Sequence, residues 1–105
     1  MLKVYGSQMC PDCIQCEANY DEYRIDYEFI DINASLRNLK ELLRMRDSDP
    51  AFLEAKEAGS IGIPAIVRED GSVTLNWQSV LEEQGLPVRE YDMSGRACSL
   101  DKKGC

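Results

Sequence analysis

Within its first 32 residues the chain runs from a short β-prone segment, Leu2-Lys3-Val4-Tyr5, through a helix opened by Pro11, to a second β-prone segment, Tyr27 to Ile32. Gly6-Ser7 closes the first segment, and proline suits the first helical position because its missing N–H has no intrahelical partner there. The helix is predicted from Pro11 to about Tyr23, with Ile14 and Ala18 on a modest apolar face. A strand, a helix and a strand in this span form one βαβ unit, and a crossover helix obliges the two strands to pair in parallel. Everything that follows must be built onto that parallel pair.

Leu36, Leu39, Leu42, Leu43 and Met45 recur at helical spacing after Asn33 or Ser35, either of which can cap the helix, so a helix over roughly 35–46 is predicted with its leucine stripe in the core. Ser48-Asp49-Pro50 restarts a helical pattern through Phe52, Leu53 and Ala55 that stops at Gly59. A strand over Ala65–Arg68 is joined to Val73-Thr74-Leu75 by Glu69-Asp70-Gly71, a hairpin signal. A last helix spans about Gln78–Gln84. The order β-α-β-α-β-β-α describes an α/β domain, a small mixed sheet flanked by helices, over residues 1–87. Residues 88–105 lack periodicity and read as a tail, loosely attached or fixed by Cys98 and Cys105.

A chain of 105 residues fits one domain of the usual size, about 100 to 150 residues, and can bury a core without obligatory disulfides. It contains no histidine, so Ser-His-Asp and Cys-His catalysis and His-ligated metal are excluded. Its net charge of −7 disfavours nucleic acid and anionic membrane surfaces as partners. With no apolar run near the roughly 20 residues of a membrane span, and no signal-peptide core after Met1, the expected location is the cytoplasm. Five cysteines in that reducing compartment point to chemistry or metal binding before a structural framework.

Cys10-Pro11-Asp12-Cys13 carries that chemistry. Cysteines three apart at a helix start lie on nearly the same side, within bonding reach, and the first sits over unpaired N–H groups. Those groups and the helix dipole favour a thiolate, lowering a cysteine pKa from about 8.5 to between about 3.5 and 7.5. Cys10 can then attack a disulfide, and Cys13 can release the mixed disulfide. Asp12 opposes the thiolate by roughly 0.5 to 3 kcal/mol over dielectrics of 20 to 80, so Cys10 is expected to be less acidic than a nucleophile with a basic neighbour. Glu17, one turn beyond Cys13, is a candidate to move a proton to or from it.

The element order, Cys10-Pro11-Asp12-Cys13 after the first strand, and Gly62-Ile63-Pro64-Ala65 some fifty residues on resemble the glutaredoxin branch of the thioredoxin superfamily over roughly residues 1–86. The resemblance implies a thioredoxin-like fold with a four-stranded mixed sheet. It also implies disulfide oxidoreductase activity without a bound cofactor, recharged by an external reductant. It gives Pro64 a cis peptide bond beside the dithiol, with Ile63 supplying backbone to an extended substrate. Ser7 and Glu17 stand where that family commonly has basic residues. Leu75–Ser79 lacks the Gly-Gly-x-Asp segment that holds glutathione there, so another thiol or a reductase is the expected reductant. The expected partners are a disulfide-bearing protein or small molecule and that reductant, and a monomer is expected.

The competing reading is a non-catalytic module in which Cys10, Cys13 and Cys16, as CxxCxxC, join Cys98 and Cys105 in holding zinc or an iron–sulfur cluster. Three thiols along one helix converge poorly, because each step of three rotates about 300° and climbs about 4.5 Å. Cys16 is otherwise a small core residue or a third thiol able to trap Cys13. Cys98 and Cys105 are candidates for a tail disulfide or a resolving role at the site. Trp77 and the tyrosines read as core or rim residues.

Overall fold

The computed structural model describes residues 1–91. Four strands, β1 (Leu2–Gly6), β2 (Tyr27–Asp31), β3 (Ala65–Val67) and β4 (Val73–Thr74), form one sheet in the order β2-β1-β3-β4. β1 pairs with β2 in parallel from Leu2↔Tyr27 to Gly6↔Asp31, and antiparallel with β3 from Lys3↔Val67 to Tyr5↔Ala65. β3 and β4 are antiparallel around the Glu69-Asp70-Gly71 turn. This is the α/β class and mixed sheet expected from the element order.

Alternation along β1 and β3 divides the core in two, because successive strand side chains point to opposite faces. Val4 and Ile66 face one way, onto Cys16 and Tyr20 of α1 (Pro11–Glu22) and Trp77, Val80 and Leu81 of α4 (Trp77–Glu83). Tyr5 and Ala65 face the other way, onto Leu42 of α2 (Leu36–Ser48) and Phe52 in the 3₁₀ turn Pro50–Phe52 that leads into α3 (Leu53–Ala58). Helices therefore cover both faces. Among the described residues no helix is long and apolar enough to cross a membrane.

The capping groups explain most boundaries. Ser35, one of the two candidates, accepts a hydrogen bond from the Asn38 amide at 3.1 Å and opens α2. Asp49 caps the 3₁₀ turn by accepting from the Ala51 amide. Asn76 accepts from Ser79 and starts α4 one residue earlier than hydropathy alone placed it. α3 ends on Gly59 in the left-handed region, where glycine carries no Cβ penalty.

The leucine stripe of α2 departs from expectation. Leu42 is buried and Leu39 half-buried, but Leu36 is 72% exposed and Leu43 40% exposed. Positions 39, 42 and 45 define the side turned to the sheet; Leu36 lies in the first turn where the chain leaves the sheet edge, and Leu43 sits about 100° round from Leu42.

Residues 87–91 are fastened to α1 by side-chain amides, an anchorage that periodicity could not reveal. Asn19, fully buried, donates to the Arg89 carbonyl at 2.8 Å and accepts from the Arg89 amide at 2.7 Å. Gln15 repeats the pairing with Tyr91, donating at 2.7 Å and accepting at 3.0 Å. Four residues of helix rise about 6.0 Å and two of extended chain about 6.6 Å, so carboxamides at i and i+4 match alternate residues of a strand. Tyr23 adds a bond from its hydroxyl to the Pro87 carbonyl at 2.6 Å, and the Arg89 guanidinium lies 5.8 Å over the Tyr23 ring. The segment 88–91 is thus held by α1; Cys98 and Cys105 lie outside the described residues. Replacing Asn19 by Ala strips two partners from the Arg89 backbone and leaves a small void. Chemical denaturation is expected to show a loss of about 2 kcal/mol, with hydrogen exchange accelerated at residues 89–91. Unchanged exchange there would show that the amide pairing does not hold the segment.

Candidate functional site

The site forms where β1 ends and α1 begins. Ser7 turns the chain: its carbonyl accepts from the Cys10 amide at 3.2 Å, its hydroxyl oxygen accepts from the Met9 amide at 3.1 Å, and the hydroxyl donates to Asn33 just after β2. That turn delivers Cys10 as the N-cap residue of α1, with extended backbone, and Pro11 as its first helical residue. The Cys10 side chain makes no capping hydrogen bond to the first turn. Its placement beside the helix dipole is as expected, but the direct N–H contact is not made.

Cys10 and Cys13 are both fully buried, and their side chains share a hydrogen bond. That bond, reinforced by burial, drives the Cys13 thiol well above the ordinary thiol range, while the Ser7 amide, 3.5 Å from its sulfur, pulls weakly the other way. Cys13 is also wedged against the strand. A Cβ on Gly6 would lie 2.8 Å from Cys13 Sγ and 3.1 Å from the Phe29 ring, so only glycine fits at the end of β1. Asp12 is exposed on the first turn, where water screens it toward the weak end of the range set out for its field.

The Ile63–Pro64 peptide bond is cis. Ala65 pairs with Tyr5, so the next position outward along the same register sets Pro64 beside Gly6, and Gly6 touches Cys13. The two motifs separated by fifty residues therefore meet across one glycine. Gly62 has φ +92 and its Cα faces Phe52: an added Cβ would stand 2.7 Å from that ring. Pro64 is buried, and Ile63 is half-buried against the α2 side of the core.

The accessory residues divide. Cys16 is turned into the α1–α4 core, bonded with the Tyr20 hydroxyl, and burial raises its pKa. It sits with Val4 and Ile66, away from the dithiol's partners. Among the described residues no group of three or more Cys, Asp or Glu side chains is arranged to hold a metal ion. Trp77 is core: its carbonyl accepts from the Tyr20 hydroxyl at 2.9 Å, and its ring meets the Tyr20 ring edge-on. Glu17 accepts from Gln8, in the loop before Cys10, and from the Tyr27 hydroxyl at 3.5 Å. Residues 87–91 are the part of the surroundings that sequence reasoning missed; the Gln15/Asn19 spacing on an otherwise weakly apolar helix was its only sign.

A protein of Haemophilus influenzae described as uncharacterized is 37% identical to the chain over 73 residues, covering 70% of this chain and 85% of that protein. The chain belongs to the same family as that protein. No protein-family model matches the chain, and no solved structure matches it.

Two outcomes test the geometry. Gly6→Ala is expected to cost about 1–3 kcal/mol by overpacking against Cys13, and less when Cys13 is also Ala; equal costs in the two backgrounds would show the contact is not the cause. Burial holds the Glu17 carboxyl above the ordinary carboxylate range, so the folded state keeps this proton longer than the unfolded chain. Stability is unaffected below the ordinary glutamate pKa and is lost as pH rises from there through the raised folded value. Glu17→Gln should therefore melt like wild type near pH 3 and increasingly above it toward pH 7; a pH-independent difference would contradict this.

Proposed function

We propose that the protein is a thiol-disulfide oxidoreductase with a thioredoxin-like fold of the glutaredoxin branch, acting through Cys10 and Cys13. The observation that carries the reading is the hydrogen-bonded pair of thiols at the mouth of α1, closed in by Gly6 and flanked by the Ile63–Pro64 segment. Two thiols at this spacing and in hydrogen-bond contact are placed to interconvert with a disulfide.

The chemistry follows from the asymmetry of the pair. The Cys10 thiolate attacks one sulfur of a substrate disulfide, forming a mixed disulfide and expelling the other sulfur as a thiolate that takes up a proton. The hydrogen bond between the cysteines supports negative charge on Cys10 at the expense of the Cys13 proton, which accounts for the direction of the Cys13 shift. Cys13 then loses its proton and attacks Cys10 Sγ. The second substrate thiol leaves, and Cys10 and Cys13 end as the disulfide: two thiols oxidised, one disulfide reduced. An external dithiol or reductase reverses the oxidation, in a reducing compartment that the cytoplasm would supply.

Ile63 and Pro64 border the dithiol on the β3 side and form the wall along which an extended substrate backbone would lie. Pro11 and Asp12 shape the first turn, with Asp12 turned to water. Glutathione is not the proposed reductant: Leu75 to Ser79 is taken up by the end of the hairpin and by Asn76 capping its own helix.

Purified protein should reduce insulin or a small aromatic disulfide with a dithiol as electron source. Cys10→Ser should abolish turnover, and Cys13→Ser should accumulate a mixed disulfide at Cys10 found by peptide mapping. A Cys10→Ser protein with wild-type turnover would sink the reading.

A further inference from the structure

One peptide unit at the site is anchored at both ends. The Gly6 carbonyl accepts from the Ile32 amide at 2.9 Å, and the N–H of the same unit, which belongs to Ser7, donates to Cys13 Sγ at 3.5 Å. A hydrogen bond accepted at the carbonyl polarises the peptide and strengthens its N–H as a donor. Burial and the Cys10 and Cys16 thiols disfavour charge on Cys13, whereas this N–H favours it. The other neighbours at this end of β1 are Gly6 itself and, against it, the Phe29 ring of β2, neither of them charged.

The Ser7 side chain holds the unit in that direction. Ser7 is buried; its hydroxyl oxygen accepts from the Met9 amide at 3.1 Å and the hydroxyl donates to the Asn33 side-chain oxygen. Asn33 is fixed in turn: its amide donates to the Asp31 carboxylate at 2.8 Å, and Asp31 is the β2 partner of Gly6. Asn33 is exposed, and its tie to the thiols runs through Ser7.

We infer that Ser7 and Asn33 serve the resolving step: the Ser7 N–H supports the negative charge on Cys13 as it attacks the mixed disulfide, and Asn33 is a positioning residue that aims this N–H through the Ser7 hydroxyl. The inference rests on the oxidoreductase reading above. Once Cys10 is bonded to a substrate sulfur it carries no charge, and the ionisation of Cys13 is set by burial against the Ser7 N–H. The Cys13 proton passes to solvent, and its thiolate attacks Cys10 Sγ. The bond from Cys10 to the substrate sulfur breaks, and that sulfur leaves with the electron pair and is protonated.

The test uses the full chain with Cys98 and Cys105 replaced by Ser in every variant, so that neither adds to the count of released thiol. It is mixed with one equivalent of the disulfide of a chromogenic aromatic thiol, and both released equivalents are timed from about pH 6 to about pH 10. The first release reports attack by Cys10, and the second reports closure of the Cys10–Cys13 disulfide, identified by peptide mapping. Asn33→Ala and Ser7→Ala should each slow the second release about three- to tenfold below the Cys13 midpoint and match the parent chain above it. That is a displacement of about 0.5–1 pH unit, with the first release kept within about twofold. The double variant should be no slower than the slower single, because both substitutions break one relay. Slowing that is equal at every pH, slowing shared by both releases, or single effects that multiply in the double variant would overturn the inference alone. Should Ser7→Ala fail to fold, the exposed Asn33 decides: an unshifted profile in Asn33→Ala overturns it. If no first equivalent is released at Cys10, the oxidoreductase reading falls and this inference with it.

Discussion

Gly6 and Cys13 meet with no room for a methyl group between them, and the arrangement of the molecule follows from that contact. It fixes how deeply α1 sits against the end of β1. It also positions Cys10 one turn earlier, at the helix mouth. Because Ala65 pairs with Tyr5, the same glycine sets where β3 enters the sheet and thus where Pro64 stands. A core close-packed to organic-crystal density transmits such a constraint without slack. The dithiol and the Ile63–Pro64 segment are therefore in register because two strands and one helix share a single small residue.

The remainder of the fold secures that junction from both sides. Val4 and Ile66 lock α1 and α4 to one face, while Tyr5 and Ala65 receive Leu42 and Phe52 on the other. Tyr20 ties the first of these layers together: its hydroxyl reaches the Trp77 carbonyl and its ring meets those of Trp77 and Tyr27 edge-on. A buried tyrosine with its hydroxyl satisfied contributes area without an unpaired polar group.

Much of this was legible in the sequence, for identifiable reasons. Period-2 runs, a first-turn proline and an Asp-Gly connection are local signals, and the strands and helices they mark occur within a residue or two of their expected positions. The spacing of Cys10 and Cys13 is likewise local. What escaped depends on tertiary context. Leu36 and Leu43 have helical periodicity, but Leu36 lies in the first turn where the chain leaves the sheet edge and Leu43 about 100° round from the side that α2 turns to the sheet. Asn76 is an ordinary polar residue until a helix begins after it. Gln15 and Asn19 look like solvent-facing amides, and their pairing with Tyr91 and Arg89 spans 76 and 70 residues of sequence that no local pattern connects.

Cys16 offers a consequence of a different kind. Its sulfur lies in the layer between sheet and helices, fully buried and hydrogen-bonded with Tyr20, three residues from Cys13. An alkylating reagent reaches it only when that layer opens, so the rate of its modification measures the opening free energy of the core itself. The chain thus carries, on one helix, a pair of thiols at its mouth and a third whose modification keeps time on the stability of the interior.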